Sequence, residues 1–278
     1  MPIPKEKILD EFKKISSFPN VVIRVNRLIN DKNSTIKQIE DVVKLEPVLV
    51  SRILKMVNSS YFGLEKRIDK ISRAIIYIGL KNIRNLLAVD TLRNILFSKG
   101  QTNIFSYLWL HSAAVATIAQ MISQRIYGKE GEDVFLAGLF HDLGLIIEAK
   151  TMPNDFEKMI LNYQNGNEKI TYYESEILGF DHVKLVIPLL EEWSIPEEIV
   201  DAINIHHVDV DAILPESVGG MLLIADYIAN NEKYSEIPDK KYSLVKCLVS
   251  HIKSYSTEYK TLIRDIPEQM RKVNSLYS

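Results

Sequence analysis

Apolar residues in this chain recur at three- and four-residue intervals through most of its length, and the alternation expected of half-buried strands is scarce. The pattern predicts an all-α protein. A first helix is expected over about 4–16, ending before Phe18-Pro19-Asn20, and a second over about 20–31. Thr35 and Gln38 have capping-box spacing and open a helix carrying Ile36, Ile39, Val42 and Val43. Pro47 opens the next, with Leu49, Ile53 and Val57 on one stripe and Asn58-Ser59-Ser60 closing it. Helices over about 69–78 and 80–97 meet at Gly79.

The polar, glycine-bearing stretch Ser98-Lys99-Gly100-Gln101-Thr102-Asn103 is the best boundary in the chain. Beyond it, helices are expected over about 104–126, 131–149, 153–165, 169–178, 181–192, 196–207 and 216–230. Pro188 should kink the helix that contains it. Residues 241–277 read as two amphipathic helices divided near Pro267. The expected organisation is an N-terminal helical subdomain over 1–98, a second over 104–230 and a helical extension over 231–278. No internal repeat or low-complexity tract interrupts it.

Composition adds little to this picture. Of 278 residues, 46% are hydrophobic and 25% charged, ordinary for a globular chain able to bury a core without covalent staples. Cys247 is the single cysteine, which excludes an internal disulfide framework. Met1-Pro2-Ile3-Pro4-Lys5 does not open a signal peptide, and no apolar run approaches the ~18 residues of a membrane span. A cytoplasmic protein with no membrane partner is expected.

Charge changes the picture more. Residues 1–100 carry 19 Lys+Arg against 10 Asp+Glu, and the remainder carries 15 against 26. A basic N-terminal surface could meet nucleic acid or an acidic partner. The basic residues are spread without a dense cluster and with few aromatics between them, which favours solvated helix faces over a nucleic-acid surface.

The candidate chemistry lies in the histidines. Five of the six fall between 111 and 207: His111, His141, His182, His206 and His207. His111 shares a core-facing stripe with Val115, Ile118 and Ile122. Asp142 follows Phe135, Gly138 and Leu139 at inward spacing, and His182 leads Leu185, Val186 and Leu189. Ile199 and Ile203 point along their helix toward His206-His207, and Asp226 follows Leu222 and Leu223. Taken singly, each has an ordinary explanation as a hydrogen-bonded core residue, and His182 has Asp181 as a local partner. Taken together, carboxylates buried among imidazoles are most simply stabilised by a divalent cation. Neighbouring helix residues point ~100° apart, so His141-Asp142 can place two ligands around one ion and His206-His207 can serve two. A His/Asp set without thiolate suits Fe, Mn, Ni, Co or Zn, as one or two ions.

These residues resemble the HD superfamily of helical metal-dependent phosphohydrolases, and more closely its HDOD branch. The match runs from Leu108-Trp-Leu-His111 through Glu132-Asp-Val-Phe-Leu-Ala-Gly-Leu-Phe-His141-Asp-Leu-Gly144 and Glu176-Ile-Leu-Gly-Phe-Asp-His182. It continues through Trp193-Ser-Ile-Pro196 to His206-His207 and ends near Ala225-Asp226. Glu46-Pro-Val-Leu-Val-Ser-Arg-Ile-Leu-Lys-Met-Val-Asn58-Ser59 and Ile71-Ser-Arg-Ala-Ile-Ile-Tyr-Ile-Gly79 are similar to the N-terminal HDOD signature.

The resemblance implies two helical subdomains and a bacterial signalling or regulatory module. It also implies that His111, His141, Asp142, His182, His206, His207 and Asp226 occupy the ligand positions of the related HD-GYP phosphodiesterases. Two departures weigh against catalysis: Leu145 replaces a lysine, and Val208-Asp-Val-Asp-Ala-Ile-Leu-Pro215 replaces the Gly-Tyr-Pro motif. A further position, an acidic ligand in some trinuclear relatives, is Tyr107. Three functions follow as expectations, the last a purely structural helical scaffold with an empty site. The first is a signal-transduction module that binds metal without turnover and meets a protein partner or a small phosphorylated ligand. The second is a phosphohydrolase of nucleotides or cyclic dinucleotides, in which Asp142 would hold the ions and Lys184 contact phosphate. Lys184 also reads as a solvated helix lysine. The segment 208–215, with Asp209 and Asp211, reads as a plain loop beside the site rather than a lid.

Overall fold

A computed structural model describes residues 4–15, 20–59, 62–97, 103–208, 212–234, 237 and 243–277. Among them are sixteen α-helices and no strand. The N-terminal helices are α1 (Lys5–Ile15), α2 (Asn20–Asn30), α3 (Ile36–Val43), α4 (Pro47–Val57), α5 (Ile71–Ile78) and α6 (Leu80–Phe97). The capping box forms: Gln38 N donates to Thr35 Oγ1 (3.3 Å) and Thr35 N to Gln38 Oε1 (2.7 Å). Gly79 joins α5 to α6 at φ +81°, a conformation that strains any residue with a Cβ.

The second group comprises α7 (Asn103–Ile126), α8 (Glu132–Phe140), α9 (Leu143–Thr151), α10 (Pro153–Asn165), α11 (Ile170–Ile177), α12 (His182–Glu192), α13 (Glu197–Asn204) and α14 (Val218–Asn231). They are followed by α15 (Lys246–Ser254) and α16 (Ser256–Tyr277). α7 and α14 are buried around most of their circumference and pack together with α8 at the centre. One continuous apolar cluster runs from Ile8 and Phe12 in α1 to Val273 in α16.

Three boundaries differ from the sequence pattern, and two of them shape the site. The helix expected over 131–149 breaks at His141-Asp142, so that Asp142 begins α9. The helix expected over 196–207 ends at Asn204, which leaves His206 and His207 in a turn beyond it. Apolar residues continue through both breaks, so periodicity gives no stop signal. α16 runs through Pro267, and the C-terminal division falls at Tyr255 instead. Tyr259, Leu262, Ile266, Met270 and Val273 form a buried stripe against α7, which offsets the lost hydrogen bond at the proline. α12 likewise continues through Pro188. The stretch 98–102 and residues Asp209 and Asp211 lie outside the described residues. No helix among the described residues is long and apolar enough to cross a membrane.

The N-terminal helices meet the rest through polar contacts as well as apolar ones. Arg84, 2% exposed, binds Asp133 Oδ1 (2.6 Å), and Asn85 Nδ2 donates to Glu132 O (2.8 Å). These contacts fix the start of α8, the helix that leads to His141.

Candidate metal centre

Two close helix approaches set the geometry. A Cβ on Gly138 would lie 2.7 Å from the backbone N and Cα of Ala116, so α8 can cross α7 at this spacing only with glycine there. A Cβ on Gly144 would lie 2.1 Å from His182 O, so the start of α9 rests directly on the start of α12. Asp142 and His182 are thereby brought face to face. Asp181 caps α12, accepting from Lys184 N (2.8 Å).

The seven sequence-predicted ligands converge. Asp142 sits at their centre and offers one oxygen to each side. Its Oδ2 lies 3.4 Å from His111 Nε2 and 3.2 Å from His141 Nε2. Its Oδ1 lies 3.5 Å from His182 Nε2 and 3.6 Å from His206 Nε2. Asp226 Oδ1 closes the first side, 3.2 Å from His111 Nε2 and 3.9 Å from His141 Nε2. His207 joins the second, its ring centroid 4.1 Å from that of His206. The potential ligand atoms therefore form two sets: His111, His141 and Asp226, and Asp142, His182, His206 and His207. Within each set the atoms lie within 4.8 Å of one another. Of the adjacent pairs, His206 and His207 share one set, while Asp142 faces His141 through Oδ2 and the other set through Oδ1.

The protonation pattern can be read from the outward ring nitrogens. His141 Nδ1 faces Gly138 O (2.9 Å) and His206 Nδ1 faces Ile203 O (2.6 Å). A carbonyl oxygen only accepts, so both Nδ1 atoms carry the hydrogen. His182 Nδ1 donates to Glu174 Oε1 (2.8 Å), and Glu174 Oε2 also accepts from His182 N (3.2 Å). In the neutral rings the Nε2 atoms are then lone-pair acceptors, the form that binds metal. His182 Nε2 and His206 Nε2 nevertheless face each other at 3.3 Å, with Asp142 Oδ1 beside both. Acceptors gathered this closely repel unless a cation or a proton lies among them. The donor set fits a divalent ion of the imidazole- and carboxylate-binding kind.

The electrostatics divide the rings, with His141 and His182 raised and His206 and His207 lowered; for His182 burial lowers and the Glu174 and Asp142 carboxylates outweigh it. Burial lowers the His141 imidazole, but the Asp142 and Asp226 carboxylates outweigh it and raise the pKa to about 9. Burial raises the Asp142 carboxyl, and His141, His206 and His111 more than offset this, holding it well below the usual carboxylate range. His206 and His207 are pushed down, first by burial and then by neighbouring imidazoles, strongly so for His207. A ring kept neutral is ready to coordinate.

Three supporting residues were not foreseen. Glu174, fully buried, orients His182. Asn230 Nδ2 donates to Asp226 Oδ1 (2.9 Å). Glu148 is fully buried beside the Glu174 carboxyl group. Burial, then Glu174 and Asp181, push its carboxyl well above the ordinary range, so it stays protonated behind the centre. A glutamate inside the apolar run Leu143-Gly-Leu-Ile-Ile-Glu148-Ala was the available signal for it. Glu174 and Asn230 had no such signal.

The centre opens to a cavity of about 30 Å³ lined by its ligands and by Leu145, Tyr163, Ile170, Asn230 and Ile237. Among the described residues no lysine or arginine lines it. Lys184 is 65% exposed and pairs with Asp181 on the outer side of α12. Tyr107 stands on the exposed side of α7 and supplies no ligand.

An all-helical array that gathers histidines and aspartates from five helices and their ends, in groups that could hold a metal ion, is the arrangement of the HD superfamily. The chain belongs to the HDOD family, whose HDOD domain matches residues 15–208. It is similar to an uncharacterised protein of Treponema pallidum (strain Nichols), 24% identical over 202 residues, covering 72% of this chain and 39% of that protein. The chain thus spans about two fifths of that relative's length.

Among solved structures it resembles an HDOD domain protein of Geobacter sulfurreducens at 24% identity and TM-score 0.68, covering 90% of this chain and 91% of the other. A Shewanella amazonensis SB2B protein described as a candidate phosphohydrolase matches at 19% identity and TM-score 0.66, covering 97% and 94%. A Marinobacter aquaeolei VT8 protein described as a candidate signal transduction protein matches at 18% identity and TM-score 0.75, covering 97% and 61%. At these identities the likeness is one of fold.

Proposed function

We propose that this chain is a regulatory module of bacterial signal transduction, acting in the cytoplasm, whose buried centre holds one or two divalent ions without turning over a substrate. His111, His141 and Asp226 would hold one ion, His182, His206 and His207 the other, with Asp142 between them. Iron, manganese, nickel, cobalt and zinc all suit the donor set. The observation that carries the reading is the contrast between the centre and the cavity above it. Seven potential ligands converge and the outer nitrogens of His141, His182 and His206 are held, while the cavity is about 30 Å³ and walled in part by Leu145, Tyr163, Ile170 and Ile237. That volume suits an ion with a water or two. It is far below the roughly 300–1,000 Å³ of ordinary ligand pockets.

Phosphoryl transfer commonly adds side-chain cations to the charge that bound metal supplies, and among the described residues no lysine or arginine lines this cavity. The charge balance and the spread of basic residues favour a protein or a small phosphorylated ligand over nucleic acid as the partner.

The alternative is a metal-dependent phosphohydrolase acting on a nucleotide or cyclic dinucleotide, which the completeness of the ligand set favours. Bound metal would supply Lewis acidity and an activated water. Asp142 would position the ions, and Glu174 would keep His182 in its binding tautomer.

Elemental analysis of protein purified without added metal, followed by assays with generic phosphodiesters and cyclic dinucleotides, separates the two. Stoichiometric metal with no turnover under saturating iron or manganese is the expected result. Turnover that tracks metal content would establish the hydrolase, and absence of metal under every loading condition would overturn both.

A further inference from the structure

Part of α2 serves neither the core nor the metal centre. On one side this helix holds the turn between α12 and α13. Asn26 Nδ2 donates to Trp193 O (3.0 Å), Asn30 Nδ2 to Ser194 O (3.0 Å) and Arg27 Nε to Ser194 Oγ (3.2 Å). Ser194 sits at φ +57°, unusual for a residue with a side chain. The adjacent strip of α2 faces α3 across an open groove of about 450 Å³, lined by Arg24, Arg27 and Leu28 on one wall and Gln38, Asp41 and Val42 on the other.

The chemistry of this groove is lopsided. Leu28 and Val42 give it an apolar floor. Asp41 is already paired with Lys37 (2.7 Å), so it does not neutralise the arginines opposite. Arg24 has no hydrogen bond or ion pair among the described residues, and Arg27 spends one N–H on Ser194 and has no carboxylate. At i and i+3 the two arginines are neighbours on one helix face, and a guanidinium fork is shaped for carboxylates. The surrounding residues 1–100 share the basic excess. A pair of arginines beside an apolar floor suits a peptide carrying both acidic and apolar side chains better than a phosphate backbone, which offers no apolar group.

We propose that the α2–α3 groove docks an acidic segment of a partner protein, anchored by an apolar side chain on Leu28 and Val42 and by carboxylates on Arg24 and Arg27. Arg27 touches both the groove and the turn that joins the His182 helix to the helix leading to His206. Arg27 thereby links an occupant of the groove to the turn between α12 and α13. Only this last link draws on the reading of the chain as a signalling module; docking itself does not require metal.

The test is selection of a displayed random-peptide library on the full chain, in metal-loaded and chelated forms, with the enriched peptides then measured by fluorescence anisotropy. Enriched sequences should combine Asp or Glu with a large apolar residue. Arg24→Glu, which removes no contact among the described residues, should keep its melting temperature and lose at least ~10-fold in affinity, about 1.4 kcal/mol. Arg27→Gln should lose affinity as well. The proposal is overturned if nothing is enriched, if the peptides lack acidic residues, or if they bind Arg24→Glu equally well. It also falls if inorganic phosphate or duplex DNA displaces the peptides as effectively as free peptide does. None of these failures touches the metal stoichiometry, so the two readings fail separately.

Discussion

The two ends of this molecule depart from ordinary burial in opposite directions. Around α7, α8, α12 and α14 the chain buries histidines and carboxylates: His182, Glu148 and Glu174 are fully inaccessible, and Asp226 is 3% exposed. In α3, α4, α5 and their connection the chain instead exposes apolar residues: Leu45, Val48, Ile76 and Tyr77 are each more than 60% exposed. Ionisable groups gathered in the interior cost free energy unless their charges are compensated, so the first departure suits side chains that could hold a divalent ion. Exposed apolar groups cost little for folding, so the second constrains what the surface can meet rather than how the chain folds. A helical protein can thus spend its exceptions inside, on chemistry, or outside, on association.

The largest expected effect follows from breaking the inner exception. Asp142→Asn removes the carboxylate that faces four imidazoles, and metal content read by elemental analysis should fall from stoichiometric to near zero while the helical circular dichroism is kept. Next comes Gly144→Ala. Its Cβ would need to enter the space of His182 O, so the variant should lose about 3 kcal/mol in chemical denaturation and bind metal more weakly as α12 is displaced.

Acidity tests the same region without a substitution. In the metal-free chain His141 is raised to about 9 from an unfolded value of ~6.5. A raised imidazole contributes stability that is full below pH ~6.5 and lost as pH climbs through about 9. Metal must displace that proton. Metal affinity measured by competition with a chromogenic chelator should therefore increase across this window, with proton release on binding.

Glu148 works with the reverse consequence for neutral pH. Its folded carboxyl is raised, so its contribution is full below ~4.3 and is lost as pH climbs from there through the raised folded value. Glu148→Gln, which keeps the shape of the protonated acid, should raise the melting temperature at pH 7 by a few degrees and flatten its pH dependence, seen by calorimetry. The smallest effect belongs to the outer exception. Ile76→Ser should shift stability by no more than ~0.5 kcal/mol, and a larger loss in denaturant titration would mean that the N-terminal face is part of the core.

Much of the centre was legible before any coordinates. His111 on the stripe with Val115 and Ile118, and Asp226 behind Leu222 and Leu223, could be placed inward because helical periodicity carries direction. The capping box at Thr35 and the junction at Gly79 were legible for a similar reason, since short motifs act through neighbours in the chain. Glu174 was not. It sits on an ordinary-looking helix eight residues before His182, and its role depends on α11 folding back so that its carboxylate meets Nδ1. The helix breaks at 141–142 and after 204 were equally hidden, because apolar runs continue through them.

Helix content, the inward faces and the identity of the histidine and aspartate set were determined by the order of residues alone, because each depends on contacts between positions a few residues apart. Only the tertiary structure decided that Asp142 stands between two groups of ligands, that the cavity above them is walled with apolar side chains, and that Lys184 points away from it. Those outcomes depend on how separate helices cross, and the crossings are set by close approaches such as Gly138 on Ala116 and Gly144 on His182, whose partners are far apart in the chain.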